Sequence, residues 1–279
     1  MDSMRVWKLA TNGEMLEWTA AEGTGSANAA TRLLPEGAFT TLRTYSRRFG
    51  LRLDDHFRRL EESARLAGHE LQVDRERLRN SIRGTLLPAF SGDMRLRIVL
   101  DLQDVPGCVY MVAEGLVTPT EQDYRLGVAA VTRQMQRQNP HAKLTGFLAE
   151  AERTRQAAGG IHEVLMVSAE GRLLEGLSSN FYAVRSGVVW TAEEDVLAGI
   201  TRALILDETD RAGLPVQREG LPAVDLGNAE EAFISSTSRG VLAVTQIDGA
   251  AVGIGRPGAL TRLISERFTR RLESELEPI

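Results

Sequence analysis

The 279-residue chain predicts an α+β protein of two domains, and three observations predict it. Helical periodicity and strand-like runs succeed one another without strict βαβ alternation, which separates the chain from doubly wound and barrel folds. A polar stretch containing a proline, Gly115 to Asp123, interrupts the patterned sequence; it divides residues 1–116 from 126–279, with 117–125 as the linker. The 43% hydrophobic content suffices for a substantial core in one large or two modest domains.

Leu53, Phe57, Leu60, Ala64 and Ala67 repeat at i, i+4, i+7, i+11 and i+14 and mark an amphipathic helix, opened by Asp54 or Asp55 and closed by Gly68. A second helix starts at Asp74, carries Leu78, Ile82 and Leu86 on its apolar side, and stops at Pro88. Strands are expected at 96–100 and 108–113. Beyond the linker, a strand at 126–132 precedes a helix over 147–157 that ends before Gly159-Gly160. Two hairpins come next: 163–168 turns through Ala169-Glu170-Gly171 into 172–175, and 181–184 turns at Arg185-Ser186-Gly187 into 188–191. A helix over 201–212, stopped by Gly213 and Pro215, a strand at 231–236 and a C-terminal helix around 260–276 complete the chain.

Net charge is −5 with both signs interspersed, so no basic footprint for nucleic acid and no polybasic membrane patch is present. No apolar run approaches the length that spans a bilayer, and Met1-Asp2-Ser3-Met4-Arg5 lacks the basic-then-apolar order of a signal peptide. The single cysteine, Cys108, excludes an intrachain disulfide and fits a reducing cytoplasm. His56, His69, His141 and His162 show no metal-ligand spacing, so no metal site is expected.

All but two of the 33 basic residues are arginine. A guanidinium serves as a surface cation, but only a primary amine deprotonates near neutral pH and forms a Schiff base with a carbonyl. Lys8, beside Trp7, needs no explanation beyond a solvated charge. Lys143, within Pro140-His141-Ala142-Lys143-Leu144-Thr145-Gly146-Phe147, is either an accident of composition on a surface loop or a retained amine. Glu175 ends a hairpin strand and precedes Gly176-Leu177-Ser178-Ser179-Asn180; it is either a solvated turn residue or a carboxylate turned toward a ligand. Ala198-Gly199-Ile200-Thr201-Arg202 opens a helix, where Gly199 allows close backbone approach, Thr201 can cap, and the first N–H groups suit a phosphate. Ser235-Ser236-Thr237-Ser238 ends an apolar strand in four hydroxyls, suited to an oxyanion or to a polar loop. One cofactor uses all of these at once. Pyridoxal phosphate needs an amine for its aldehyde, donors for its phosphate and a carboxylate for its ring nitrogen.

Here the sequence resembles the fold-type IV (class IV) aminotransferases, the group of branched-chain and D-amino-acid aminotransferases and aminodeoxychorismate lyases. The matches are ordered and run through nearly the whole chain. Gly37-Ala38-Phe39-Thr40-Thr41-Leu42-Arg43 looks like the family's N-terminal segment, and Asp55-His56-Phe57-Arg58-Arg59-Leu60 like its helix with a phosphate-binding arginine. Leu174-Glu175-Gly176 through Ser179-Asn180-Phe181 matches its Glu-Gly-x-x-x-Asn signature. Leu197-Ala198-Gly199-Ile200-Thr201-Arg202 matches Leu-Pro-Gly-Ile-Thr-Arg, with Ala198 replacing proline. Glu231 to Thr237 resembles the last strand, ending in a phosphate-contacting threonine.

The resemblance implies a two-domain fold-type IV enzyme with the cofactor at the domain interface and Lys143 in the C-terminal domain. It implies Lys143 as the Schiff-base lysine and proton shuttle, and Glu175 as the partner of the pyridinium nitrogen. Arg59, Thr237 and the N–H groups of Ile200 and Thr201, beside Gly199, would bind phosphate, and Leu197 would pack on the ring. Substrates would be an amino acid and a 2-oxo acid, and the assembly a cytoplasmic homodimer. Phe39, Arg95, Arg97, Leu148 and Ser179 are the candidates for substrate contact. The chain also departs from the pattern. Leu148 stands where branched-chain enzymes usually carry tyrosine, and Val99-Leu100-Asp101-Leu102 lacks the Arg-x-His element of the D-amino-acid enzymes. Phe39-Thr40-Thr41 and Leu148 lean toward the lyase, which keeps 4-amino-4-deoxychorismate lyase as the alternative to a transaminase.

Overall fold

Strands rich in Val, Ile and Leu with polar ends build an antiparallel sheet in the first of two units. The computed structural model describes residues 3–21, 23–159 and 161–279; Met1, Asp2 and Gly160, which entered the reading of the N-terminus and of one helix end, lie outside them. The first unit holds Met1–Val117, His141–Ala149 and Glu275–Ile279, the second Thr118–Pro140 and Glu150–Ser274.

In the first unit β1 (Arg5–Leu9), β2 (Met15–Glu17), β3 (Gly37–Arg43), β4 (Phe49–Leu51), β5 (Met94–Asp101), β6 (Val109–Gly115) and, at the C-terminus, β16 (Leu276–Pro278), which pairs antiparallel with β4, are the strands. Five of them form a sheet in the order β2-β1-β6-β5-β3. Alternate residues divide between two faces. Phe39, Val99, Tyr110 and Val112 pack with Ala27 and Ala30 of the short helix α1 (Ala27–Thr31), while Leu42, Leu96 and Ile98 pack with Phe57 and Leu60 of α2 (Leu53–Leu66). α2 starts at Leu53, not at Asp54 or Asp55, because Arg52 takes a left-handed conformation before it; the two aspartates fall in its first turn, where they complement the helix dipole. After α3 (Arg75–Ser81), capped by Asp74, the backbone continues through a π turn at Ile82–Leu86 and a 3-10 turn at Leu87–Ala89. Pro88 therefore lies inside that last turn and is not a stop, since proline is tolerated where no N–H is needed.

β3 is an edge strand, and residues 143–145 cover it. Phe39 N donates to Lys143 O at 2.8 Å, Thr145 N to Gly37 O at 2.9 Å, and Gly37 N to Thr145 Oγ1 at 3.0 Å. An open edge would leave these groups unpaired. This pairing puts Lys143 in the first unit, and not in the C-terminal domain to which the sequence assigns it.

In the second unit the expected linker is partly helical: α4 (Glu121–Leu126) opens on a capping box of Thr120 and Asp123. Leu126 thus ends a helix, and the next strand starts two residues on. The strands are β7 (Val128–Gln134), β8 (Glu163–Val167), β9 (Leu173–Gly176), β10 (Asn180–Arg185), β11 (Val188–Trp190), β12 (Val216–Gln217), β13 (Glu231–Ser236), β14 (Gly240–Ile247) and β15 (Ala250–Ala251). Hydrogen-bonded neighbours run β12-β11-β10-β13-β14-β7-β8-β9, and β9 pairs again with β10, so the path from β10 to β9 closes on itself. Phe181, Ile234, Leu242 and Leu165 fill its core. β14, absent from the elements expected on sequence, is central and buried. The remaining α-helices are α5 (Phe147–Ala157), α6 (Ile200–Arg211) and α7 (Ala259–Glu275), the last of which runs directly into the C-terminal strand. Among the described residues no helix is long and apolar enough to cross a membrane.

Candidate active site

The covering of β3 brings several candidates together in the first unit. Lys143 N donates to Ser63 Oγ of α2 at 3.0 Å, which fixes the covering segment against the helix. The Lys143 side chain places Nζ 4.6 Å from the centroid of the Phe39 ring. Arg97 meets the same ring, its guanidinium carbon 5.0 Å from the centroid, because Phe39 and Arg97 sit on one face of paired strands. Leu148 packs against the cluster that contains Phe39. Arg59 lies one turn beyond His56 on α2. His56 is fully buried and its Nδ1 is 2.7 Å from Thr40 Oγ1. Burial, then the charges of Arg59 and Lys143, push its pKa well below the usual histidine range, so the ring is neutral.

The two arginine candidates differ. Arg95 pairs with Glu114, whose other oxygen accepts from Ala27 N at 2.8 Å. Arg97 is 6% exposed and held by neutral groups, Thr31 Oγ1 and Asn28 Oδ1, each at 2.9 Å. Its Nε has no hydrogen-bond partner among the described residues. Burial first, then Arg95, pushes its pKa down to about 9.

In the second unit the β9–β10 pairing sets Glu175 opposite Asn180. Glu175 is 2% exposed, so the reading as a solvated turn residue falls. Its Oε1 lies 2.8 Å from Arg137 Nε, and its Oε2 accepts from Asn180 Nδ2 at 3.2 Å. The same Asn180 Nδ2 donates to Leu197 O at 2.8 Å, which ties the carboxylate to the residues before α6. Gly176 is required by crowding: a Cβ there would lie 2.4 Å from Ser179 Oγ and 2.8 Å from Glu163 Cδ.

α6 begins after Gly199, which acts as N-cap without a side-chain cap; Thr201 does not cap but lies buried in the first turn. The amide groups at such a start favour an anion. Gly199 has an ordinary φ of −67, so its reason is space: a Cβ would stand 2.2 Å from Asn180 Oδ1. Gly199→Ala should therefore displace Asn180 and lower stability by roughly 1–3 kcal/mol, read as a fall in the thermal midpoint and weaker cofactor retention; an unchanged midpoint and unchanged retention would remove the steric argument. Thr237 sits in the turn between β13 and β14, half-buried, beyond the paired Ser236 and Gly240.

The profile of the class IV amino-transferase family matches residues 37–247, most of the chain and the whole span from Phe39 to Thr237 that carries the candidate residues. The chain belongs to the class IV aminotransferases. Among relatives of this aminotransferase, a D-alanine aminotransferase of Bacillus licheniformis is 27% identical over 257 residues, covering 86% of this chain and 89% of that one. A solved structure of a branched-chain aminotransferase from the archaeon Thermoproteus uzoniensis with norvaline is 26% identical, with a TM-score of 0.79 and 99% of each chain covered. The branched-chain aminotransferase of Escherichia coli, at 24% identity and a TM-score of 0.75 over 99% of this chain and 96% of that one, shares the fold. The fold-type IV architecture and the family's use of pyridoxal phosphate follow from this membership. Nothing in these relatives favours the lyase.

The sequence-predicted residues of this aminotransferase divide between the units. Phe39, Arg59, Arg95, Arg97, Lys143 and Leu148 belong to the first, and Glu175, Ser179, Leu197, Gly199, Ile200, Thr201 and Thr237 to the second. Sequence reasoning misses Arg137: one arginine in an arginine-rich chain carries no signal until its guanidinium is found on Glu175. Asn180 shows in the sequence only as a letter of a signature, and Glu163 only as the start of a strand.

Proposed function

We propose that this aminotransferase exchanges the amino group of a small amino acid with that of a 2-oxo acid, using pyridoxal phosphate anchored on Lys143. The donor chemistry fits that group: an amine for an aldehyde, a buried carboxylate for a ring nitrogen, and an uncapped helix start beside a glycine for a phosphate. Bound there, the cofactor supplies a conjugated ring that takes up the electron pair left when Cα loses its proton.

The chain's own residues then have distinct tasks. Lys143 Nζ holds the cofactor and carries the proton to and from the substrate's Cα. Glu175, held by Arg137 and Asn180, keeps the ring nitrogen protonated. Arg59, Thr237 and the N–H groups of Ile200 and Thr201 would hold the phosphate, and Leu197 would pack on the ring. Phe39, Leu148 and Ser179 shape the substrate side. Of the two arginines, Arg97 is the carboxylate clamp, because Arg95 already serves Glu114. The enzyme works as a homodimer in the cytoplasm.

The observation that carries the assignment is the contrast between the two lysines. Tyr110, then Cys108, push the Lys8 ammonium up, which holds its proton more tightly. Lys143 instead lies among the other candidate residues: its Nζ is 4.6 Å from the centroid of the Phe39 ring, and its charge acts together with that of Arg59 on the buried His56. Borohydride reduction of the cofactor-loaded enzyme followed by peptide mass spectrometry should find the pyridoxyl group on Lys143. Its recovery on Lys8, or on neither lysine, overturns the assignment.

A further inference from the structure

Glu163 opens β8 with no exposed surface, and the tasks assigned above leave it unused. Its Oε2 accepts from Ser179 Oγ at 2.8 Å, Arg239 Nη2 at 2.9 Å and Ser178 Oγ at 3.1 Å. Its Oε1 accepts from Val164 N at 3.1 Å, with Arg155 Nη2 at 3.9 Å. Burial pushes this carboxyl up, and Arg239 with Ser179 and Arg155 more than reverses the effect, so it is held below the ordinary range as an anion. A buried ion pair is not by itself a source of stability, because desolvation offsets the attraction. The importance of this pair lies in the segments it connects.

Arg239 lies two residues beyond Thr237 in the turn between β13 and β14, and its planar fork spans three segments. Nε donates to Ser236 Oγ at 3.0 Å, and Nη2 to Glu163, to Ser178 O at 3.0 Å and to Ser178 Oγ at 2.9 Å. Ser178 and Ser179 form the loop that leaves Glu175 and enters Asn180. That loop has no slack, since Gly176 lies hard against both Ser179 and Glu163. One carboxylate and one guanidinium thus join the segment behind Glu175 to the turn that bears Thr237.

We infer that Glu163 and Arg239 are positioning residues that lock the Glu175 loop and the Thr237 turn into one geometry, so that a change at one end is felt at the other. The inference rests on the cofactor reading above, in which Glu175 serves the ring and Thr237 the phosphate. It predicts crossed effects that a purely stabilising ion pair would not produce.

The full chain freed of cofactor is titrated with pyridoxal phosphate and, separately, with inorganic phosphate, which reports the phosphate end alone. Glu163→Gln, whose change lies on the loop side, should weaken inorganic phosphate about tenfold, the scale on which loss of an outer-sphere partner is felt. Arg239→Met, whose change lies on the turn, should shift the pH midpoint of the bound cofactor's visible band, which reports the ring end. Arg239→Lys should restore part of both, because an ammonium reaches Glu163 but cannot span Ser236 and Ser178 together. A lower melting temperature with phosphate affinity and band midpoint unchanged overturns the inference. If Glu163→Gln does not fold, Ser179→Ala removes one hydroxyl from the same link, and unchanged phosphate affinity in that variant overturns it equally. A wild-type chain that binds no pyridoxal phosphate overturns the cofactor reading itself, whereas binding by wild type with no crossed effects overturns only the coupling.

Discussion

Lys143→Ala is expected to abolish transamination while leaving the fold intact. The amine has two tasks, covalent anchoring and proton transfer, and proton transfer alone contributes about 10²–10⁴-fold. Loss of both should take turnover below detection. The fold should survive because the edge of β3 is covered by backbone and not by the side chain: Phe39 N bonds Lys143 O, and Lys143 N bonds Ser63 Oγ. Those bonds do not depend on the side chain beyond Cβ. Lys143→Arg sharpens the test. It keeps a cation over Phe39 but has no amine to deprotonate, so it should be as inactive as the alanine variant. Turnover by either variant above a few per cent of wild type, with the melting midpoint unchanged, would show that the amine is not used.

Glu175→Gln is expected to cost both activity and stability, through different partners. A hydrogen bond to a charged group contributes about 1.5–3 kcal/mol, so losing the charge at the ring nitrogen should lower turnover about ten- to hundredfold. The second effect falls on Arg137. Glu175 and Arg137 are 3% and 6% exposed on their side chains, and removing one member of such a buried pair costs about 3–5 kcal/mol because the other stays charged. The double variant Glu175→Gln with Arg137→Met should therefore melt higher than Glu175→Gln alone yet turn over no faster. Recovery of activity together with stability would mean that Glu175 acts only as a structural partner of Arg137.

Much of the candidate site is legible before any geometry. Lys143 stands out because it is one of two lysines among many arginines, and an amine does what a guanidinium cannot. Glu175, Gly199 and Thr237 are legible as letters in an ordered set, since each small motif fits a chemical need of one cofactor. The α2 stripe from Leu53 to Ala64 is legible because helical periodicity repeats within a single segment, and the packed face of α2 carries those residues. The reasons behind the letters are not legible. Gly199 reads as a permissive residue, but its backbone is ordinary and the constraint is the amide of Asn180, about twenty residues earlier, at 2.2 Å from a Cβ it lacks. The linker expectation fails in part because a polar segment with a capping box is as polar as a loop.

By itself the sequence determined the chemistry on offer and the local elements: an amine kept where arginine would serve as charge, a carboxylate with glycine after it, a glycine before a helix, and the amphipathic patterns that bury one face. Those are properties of a residue and its near neighbours, and they survive without knowledge of the fold. Only the tertiary structure decided that Lys143 belongs with β3, that Arg137 and Asn180 hold Glu175, and that Glu163 with Arg239 links two distant turns. Each of those depends on which backbone and side-chain groups must be satisfied once strands far apart in sequence are paired and buried. No local pattern encodes that choice of partner.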